Sequence, residues 1–223
     1  MPNNYTASPL GLTDKADGSK RRIHHLSYPA GDSSAINHGI PEAYGAITYS
    51  GIEDAIRTIQ LFGPRCILIK RDFEAPFRHI PVSPLDTPLL SFQWQKRFYA
   101  ERFLPFGLRT TLYLLNLFAE VFHWILEADL SERDVEATVI HYLDDFLVIL
   151  PPTTTLEAYT EAFSKLCYAV SLGITTEKNE DGLLASFAGF ELDTQTMTIR
   201  LPQKKLTKAC HLVQHAIEEN SYP

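Results

Sequence analysis

Tyr142-Leu143-Asp144-Asp145 lies between two apolar runs, so it puts adjacent carboxylates where burial should forbid them. Residues 137–141 read as an incoming strand and 146–150 as an outgoing one, both rich in the β-branched and aromatic residues that suit a pleated surface. The aspartates then occupy the tip of a β-hairpin. Asp is also common in tight turns because its side chain bonds nearby backbone, so the doublet alone leaves a purely structural role open. Residues far away in sequence have to separate the two readings.

With 45% hydrophobic and 21% charged residues, the 223-residue chain has the composition of a soluble globule of one large or two small domains. The most apolar stretch, residues 112–126, is interrupted by Asn116, Glu120 and His123, and the polar start lacks the apolar centre of a secretory signal. An intracellular protein without a membrane partner is expected, in nucleus or cytoplasm. Cys66, Cys167 and Cys210 form no close pair, which argues against a disulfide framework or structural zinc and predicts buried thiols. A net charge of −7 is unlike that of a nucleic-acid binder. Its distribution is uneven: Lys15, Lys20, Arg21 and Arg22 cluster near the start and Lys204, Lys205 and Lys208 near the end, leaving an acidic middle that could seat a metal.

Ser50-Gly51-Ile52-Glu53 has capping-box spacing, Ala55, Ile56 and Ile59 recur at helical intervals from Ile52, and Gly63-Pro64 supplies a stop. Residues 66–69 predict a short strand buried on both faces, with Asp72 at its carboxyl end. A proline-rich loop over 81–88 precedes a hairpin, in which Leu90, Phe92 and Trp94 alternate before Gln95-Lys96-Arg97 turns into residues 98–103. Leu115, Phe118, Phe122 and Ile125 mark one face of a long helix from about Thr110. After the central hairpin, Tyr159, Phe163, Leu166 and Val170 stripe another helix, and residues 187–192 and 197–201 predict a last strand pair. Residues 204–219 can form one amphipathic helix.

From Cys66 onward the order strand, helix, two hairpin strands, helix, strand is the split β-α-β pattern of a ferredoxin-like α+β sheet. That topology brings Asp72 beside Asp144 and Asp145. Three converging carboxylates resist ionisation unless a hard divalent cation lies between them, and magnesium is the natural candidate. Two such ions can stabilise the attacking and leaving oxygens of an in-line phosphoryl displacement.

Tyr142-Leu143-Asp144-Asp145, following Asp72 and preceding Lys178, resembles the palm of a reverse transcriptase. Residues 15–22 with Leu26-Ser27 resemble its fingers strands, Leu104-Pro105-Phe106-Gly107 its loop-to-helix segment, and Phe187-Ala188-Gly189-Phe190 its primer-grip hairpin. Arg78-His79-Ile80-Pro81-Val82 and Leu201-Pro202 look closest to the DIRS group of retrotransposons. The resemblance implies a reverse transcriptase domain over 1–223: fingers over about 1–49 and 84–107, palm over about 50–83 and 108–202, and the start of a thumb or connection over 203–223. It implies RNA-directed DNA synthesis on a primed RNA or DNA template from deoxynucleoside triphosphates, with two Mg2+ ions, or Mn2+ in their place.

The resemblance also assigns roles. Asp72, Asp144 and Asp145 would be the catalytic metal carboxylates, with the Phe73 carbonyl as a further metal ligand. Phe77 would stack under the sugar and select deoxynucleotides, or be a core aromatic. Lys15 and Arg22 would meet the triphosphate, or be ordinary exposed cations. Phe106 and Gly107 would contact template and nucleotide, and Phe187, Ala188 and Gly189 would grip the primer. Lys178 would protonate the leaving pyrophosphate, or be a solvated lysine. Two residues depart from the family pattern. Pro76 replaces a small residue near amides that hold the triphosphate and offers no N–H, and Leu112 stands where a helix-starting Pro is usual. These departures leave open an impaired or co-opted nucleic-acid-binding relic. A nucleotide cyclase on a related palm fits the metal site but not the fingers-like start.

Overall fold

The structure is a computed structural model that describes residues 5–15, 18–49 and 51–218. In chain order its strands and α-helices are β1 (Leu10–Asp14), β2 (Lys20–His24), α1 (Ile52–Phe62), β3 (Ile67–Asp72), β4 (Ser91–Trp94), β5 (Arg97–Ala100), α2 (Thr111–Glu132), β6 (Thr138–Tyr142), β7 (Asp145–Leu150), α3 (Leu156–Ala169), β8 (Glu180–Gly182), β9 (Leu184–Phe187), β10 (Phe190–Asp193), β11 (Thr198–Arg200) and α4 (Gln203–Glu218). They form two compact units. The first holds residues 1–49, 73–124 and 165–173, and the second holds 50–72, 125–164 and 174–223. The chain therefore changes unit at Asp72, and residues 73–83 and 108–124 fall in the first unit rather than with the β6–β7 hairpin.

The second unit is built on a four-stranded antiparallel sheet of order β6-β7-β3-β8. The first half of β3 (67–69) and residues 146–150 of β7 are apolar on both faces, as expected of central strands. Ala55 and Ile59 of α1 share a buried core with Leu68 of β3, Ile140 of β6, Leu147 and Ile149 of β7, and Ala185, Phe187 and Leu192. Each fully buried aliphatic side chain there stabilises the fold by about 1.5–3 kcal/mol relative to exposure. The α1 start is Gly51, whose N–H donates to the Asp54 carboxylate at 3.0 Å, and Ser50 lies outside the described residues. Gly63 ends the helix as expected, at φ 83 with its N–H on the Ile59 carbonyl at 2.9 Å.

Two expectations need correction in this unit. The stretch read as a single strand over 187–192 is the junction of β9 and β10, because Ala188 (φ 48) and Gly189 (φ 88) turn the chain through the left-handed region between Phe187 and Phe190. Cys66 and Cys167 are buried free thiols, but Cys210 is exposed, since α4 buries none of its residues.

In the first unit, β1 pairs with β2 and β4 with β5, both antiparallel. The basic segment expected as strands is mostly the connection between β1 and β2, and its Ala16 and Asp17 lie outside the described residues. The loop before α2 is tied down by Asn37. Its side-chain amide donates to the Gly107 carbonyl at 2.8 Å, and its Oδ1 accepts the Arg109 N–H at 2.8 Å. The His24 N–H donates to the Phe106 carbonyl at 2.8 Å. Only glycine fits at 107: at φ +105, a Cβ there would lie 2.0 Å from the His24 carbonyl oxygen. No helix of the described residues is long and apolar enough to cross a membrane.

Candidate active site

Asp72 closes β3 and Asp145 opens β7, and the two are direct partners in the antiparallel register. Partners across a strand pair share a face, as do alternate residues along a strand, so Lys70, Asp72 and Asp145 continue the face that carries Leu68, Leu147 and Ile149. The apolar face thus ends in charge. The hairpin turn between β6 and β7 is two residues long, Leu143 and Asp144, because Tyr142 pairs with Asp145. Leu143 takes φ 57, a left-handed conformation that costs a residue with a Cβ about 1–2 kcal/mol. Such strain persists where surrounding structure enforces it.

Asp72 is only 5% exposed. Lys178 Nζ donates to both of its carboxylate oxygens, at 2.9 and 2.8 Å. The Thr175 N–H donates to the Asp72 carbonyl at 2.8 Å, which fixes the turn bearing Lys178 beside the end of β3. The pair lifts the Lys178 ammonium above its ordinary pKa against a desolvation that works the other way. Asp145 is less well served. Its Oδ1 is buried with no hydrogen-bond partner, and the Lys70 ammonium stands 3.5 Å away. Burial, with lesser contributions from the Asp72 and Asp144 carboxylates, pushes its pKa up from 3.8 to about 6 despite the attraction of Lys70.

The expected site residues therefore fall into groups. Asp72, Asp145 and Lys178 meet in the second unit, with Asp144 in the adjoining turn and half-buried. Among the described residues no three His, Cys, Asp or Glu side chains are grouped to hold a metal, although the Asp72 and Asp144 carboxylates both act on Asp145. Phe187 is buried in the core of this unit, while Lys205 Nζ donates to the Gly189 carbonyl at 3.1 Å.

In the first unit, Phe77 is 7% exposed and sets its edge against Phe106, with ring centroids 4.6 Å apart. The Arg21 guanidinium lies 4.5 Å over the Phe106 ring. Arg22 pairs with the buried Glu101, which Arg78 also holds at 2.7 Å. Lys15 is exposed in the β1–β2 connection, and Phe73 is buried edge-on to Phe122 at 5.0 Å. Pro76 opens a 3-10 turn, and Ala75 before it takes φ 45, ψ 51, left-handed rather than extended. A cavity of about 640 Å³ also lies in this unit, lined by residues including Ile36, Tyr44 and Leu108 and by none of the expected site residues.

Sequence reasoning missed Lys70 and Glu101. Lys70 was recoverable, since it stands two residues before Asp72 in a strand and so shares its face. Glu101 carries no local signal, because its partners are 79 and 23 residues away.

No curated protein matches the chain. Residues 22–209 match the family described as reverse transcriptase (RNA-dependent DNA polymerase). Among solved structures, the foamy viral protease-reverse transcriptase in complex with double-stranded DNA superposes with a TM-score of 0.68 at 18% identity, over 91% of this chain and 32% of that one. The same viral enzyme in complex with an RNA/DNA hybrid gives 0.62 at 16% identity, over 93% and 25%. Apo telomerase from Candida tropicalis gives 0.60 at 12% identity, over 89% and 55%. The shared feature at these identities is the mixed α/β fold, and the chain spans about a third or less of the foamy viral chains.

Proposed function

The chain belongs to the reverse transcriptase (RNA-dependent DNA polymerase) family, and on that premise we propose that it adds deoxynucleotides to a primer 3′-hydroxyl on an RNA or DNA template. The observation that carries this reading is the register pairing of Asp72 with Asp145, with Asp144 in the turn between β6 and β7. The sheet β6-β7-β3-β8 is then a ferredoxin-like palm, the first unit supplies the fingers, and α4 begins a thumb or connection. The finer placement in the DIRS group rests on residues 78–82 and on Leu201-Pro202.

The acidic groups fit a hard divalent cation such as Mg2+ or Mn2+. Their donors are all carboxylate oxygen, one of these oxygens is buried without a partner, and burial together with the neighbouring carboxylates raises the Asp145 pKa to about 6. Asp72, Asp144 and Asp145 would hold the ion, with the Phe73 carbonyl as a further donor. A bound divalent cation there supplies Lewis acidity and neutralises charge on phosphoryl oxygens. The chain's own part is positional. Lys178 orients the buried Asp72 by donating to both of its carboxylate oxygens. Phe77, packed edge to face with Phe106 and 7% exposed, would be the ring beneath the sugar. Arg21 is better disposed than Arg22 toward a triphosphate, because the Arg22 guanidinium is already spent on Glu101, and Lys15 is an exposed second cation. Gly107 keeps its loop close to β2, and Phe187, Ala188 and Gly189 form the β-turn assigned to the primer.

A second reading, an impaired or co-opted nucleic-acid-binding relic, draws on Pro76. It has no N–H to give a phosphate and follows a left-handed Ala75. Primer extension on an RNA template with Mg2+, parent against Asp144→Asn, tests the first reading, and equal signals would sink it. Pro76→Ala separates the two: a gain of about tenfold or more assigns an impaired polymerase, whereas activity at background in both chains assigns the relic.

A further inference from the structure

The hairpin of β4 and β5 carries a ladder of rings that starts in the core and runs out into solvent. The register pairs Phe92 with Tyr99 and Trp94 with Arg97, so these four side chains share one face. Phe92 is buried, with Tyr99 stacked on it at 5.5 Å and 16°. Past this pair the rings open to solvent: Tyr99 is 43% exposed and Trp94, one step toward the tip, is 60% exposed. The root is anchored, because the Ser8 N–H donates to the Ser91 carbonyl at 2.9 Å and the Glu101 N–H to the Leu90 carbonyl at 3.0 Å.

The tip is built at a conformational cost. Gln95 and Lys96 form the two-residue turn with φ 47 and 63, the left-handed pair that hairpins normally give to Asn-Gly or Gly-Gly. Retaining a lysine there sets Lys96 beside Arg97 and next to the exposed Trp94. Residues 91–100 contain these two cations and no acid, in a chain of net charge −7. The nearest acid, Glu101, is buried between Arg22 and Arg78.

Exposed flat rings beside cations match a ligand that alternates flat faces with negative charge. In a duplex the base faces are already stacked on each other, so only an unpaired strand can offer them. We propose that Trp94 and Tyr99 form a stacking platform for single-stranded nucleic acid, with Lys96 and Arg97 meeting its phosphates. The inference deepens the polymerase reading, on which it rests for its ligand class, by naming a surface for the unpaired part of a template.

The test uses the full chain with Trp124→Phe, which leaves Trp94 as the single tryptophan. Titration with unstructured oligo(dT) or oligo(rU), in EDTA and without nucleotides, should quench Trp94 fluorescence saturably. Anisotropy of a labelled oligonucleotide should show Trp94→Ala weakening binding by about five- to a hundredfold, with Trp94→Phe largely restoring it. Thermal melting of Trp94→Ala should match the parent, as expected for an exposed ring, so that lost binding is not lost folding. Absent quenching, unchanged affinity in Trp94→Ala, or equal competition by a blunt duplex would overturn the platform. Sedimentation showing self-association that Trp94→Ala abolishes would also overturn it and assign the face to a second copy of the chain. Because the assay contains no metal or nucleotide, it is independent of catalysis. Failed primer extension with intact quenching overturns the polymerase reading alone, and the reverse result overturns the platform alone.

Discussion

Asp145→Asn should stabilise the metal-free protein while removing a residue assigned to catalysis. An aspartate that titrates at about 6 instead of 3.8 pays for its ionisation in the fold, and at 1.36 kcal/mol per tenfold in acidity the penalty near neutral pH is about 3 kcal/mol. The attraction of Lys70 is already contained in that value, because it acts on the same equilibrium. With 30% of the side chain still reaching water, about 2 kcal/mol is a working figure. The sign follows from linkage. The folded pKa is raised, so the favourable contribution is fully present below 3.8 and is lost as pH rises through about 6. Asparagine resembles the protonated carboxyl at every pH. In EDTA at pH 7, amide hydrogen exchange in β3 and β7 should therefore be about thirtyfold slower in the variant, since 2 kcal/mol is about that factor. The difference should be roughly halved near pH 5 and nearly gone at pH 4. A variant that exchanges as fast as the parent at pH 7, or a gap that does not narrow on acidification, would refute the reasoning.

His24 should give the first unit the opposite slope: burial lowers its pKa below 6.5, so stability is present above that value and lost as pH falls through the folded one. Protection factors of β2 amides, which remove the intrinsic pH dependence of exchange, should fall from pH 7 to 5 in the parent and stay flat in His24→Gln. Gly107→Ala should destabilise by about 3–5 kcal/mol, from left-handed strain plus the clash with the His24 carbonyl and the hydrogen bonds it displaces, whereas Gly31→Ala, at φ +76 with open space, should cost about 1–2 kcal/mol. Parallel thermal melts compare them, and equal losses would show that the clash is absent. Lys178→Gln should tighten Mn2+ binding about two- to fivefold in calorimetry, because a half-exposed ammonium no longer competes for Asp72. Unchanged Mn2+ affinity with a lowered extension rate would instead favour the proton-donor role.

What the sequence disclosed was whatever has a local period or a local chemical anomaly. Apolar runs ending in acid disclosed β3 and β7, and with them the pairing of Asp72 and Asp145, because two central strands of similar length leave few registers. It placed both aspartates at the hairpin tip, but did not disclose that Asp145 already belongs to β7 or that Leu143 takes φ 57, which a leucine gives no reason to expect. The same holds at two other tips: the turn at Gln95 and Lys96 was legible and the hairpin at 187–190 was implied by the resemblance, but not the left-handed conformations of Gln95, Lys96 and Ala188. Long-range charge pairing was hidden for another reason: Arg22, Arg78 and Glu101 look like scattered surface charge until the fold assembles them around one buried carboxylate.

That pairing also bears on how an acidic chain could hold a polyanion. Many of its cations are internally committed: Arg71 to Asp181, Arg22 and Arg78 to Glu101, Lys70 to Asp145 and Lys178 to Asp72. Residues 91–100 offer only Lys96 and Arg97, so binding of a single strand at the β4–β5 hairpin should rest on stacking more than on phosphate contacts. For two or three contacts, such as Lys96, Arg97 and one more, the logarithm of affinity should fall with the logarithm of salt at a slope of about −1.4 to −2. Lys96→Gln should reduce that slope by about 0.7, whereas Trp94→Ala should lower affinity without changing it. A slope steeper than about −4 would mean that cations elsewhere dominate, and would remove stacking as the main source of affinity.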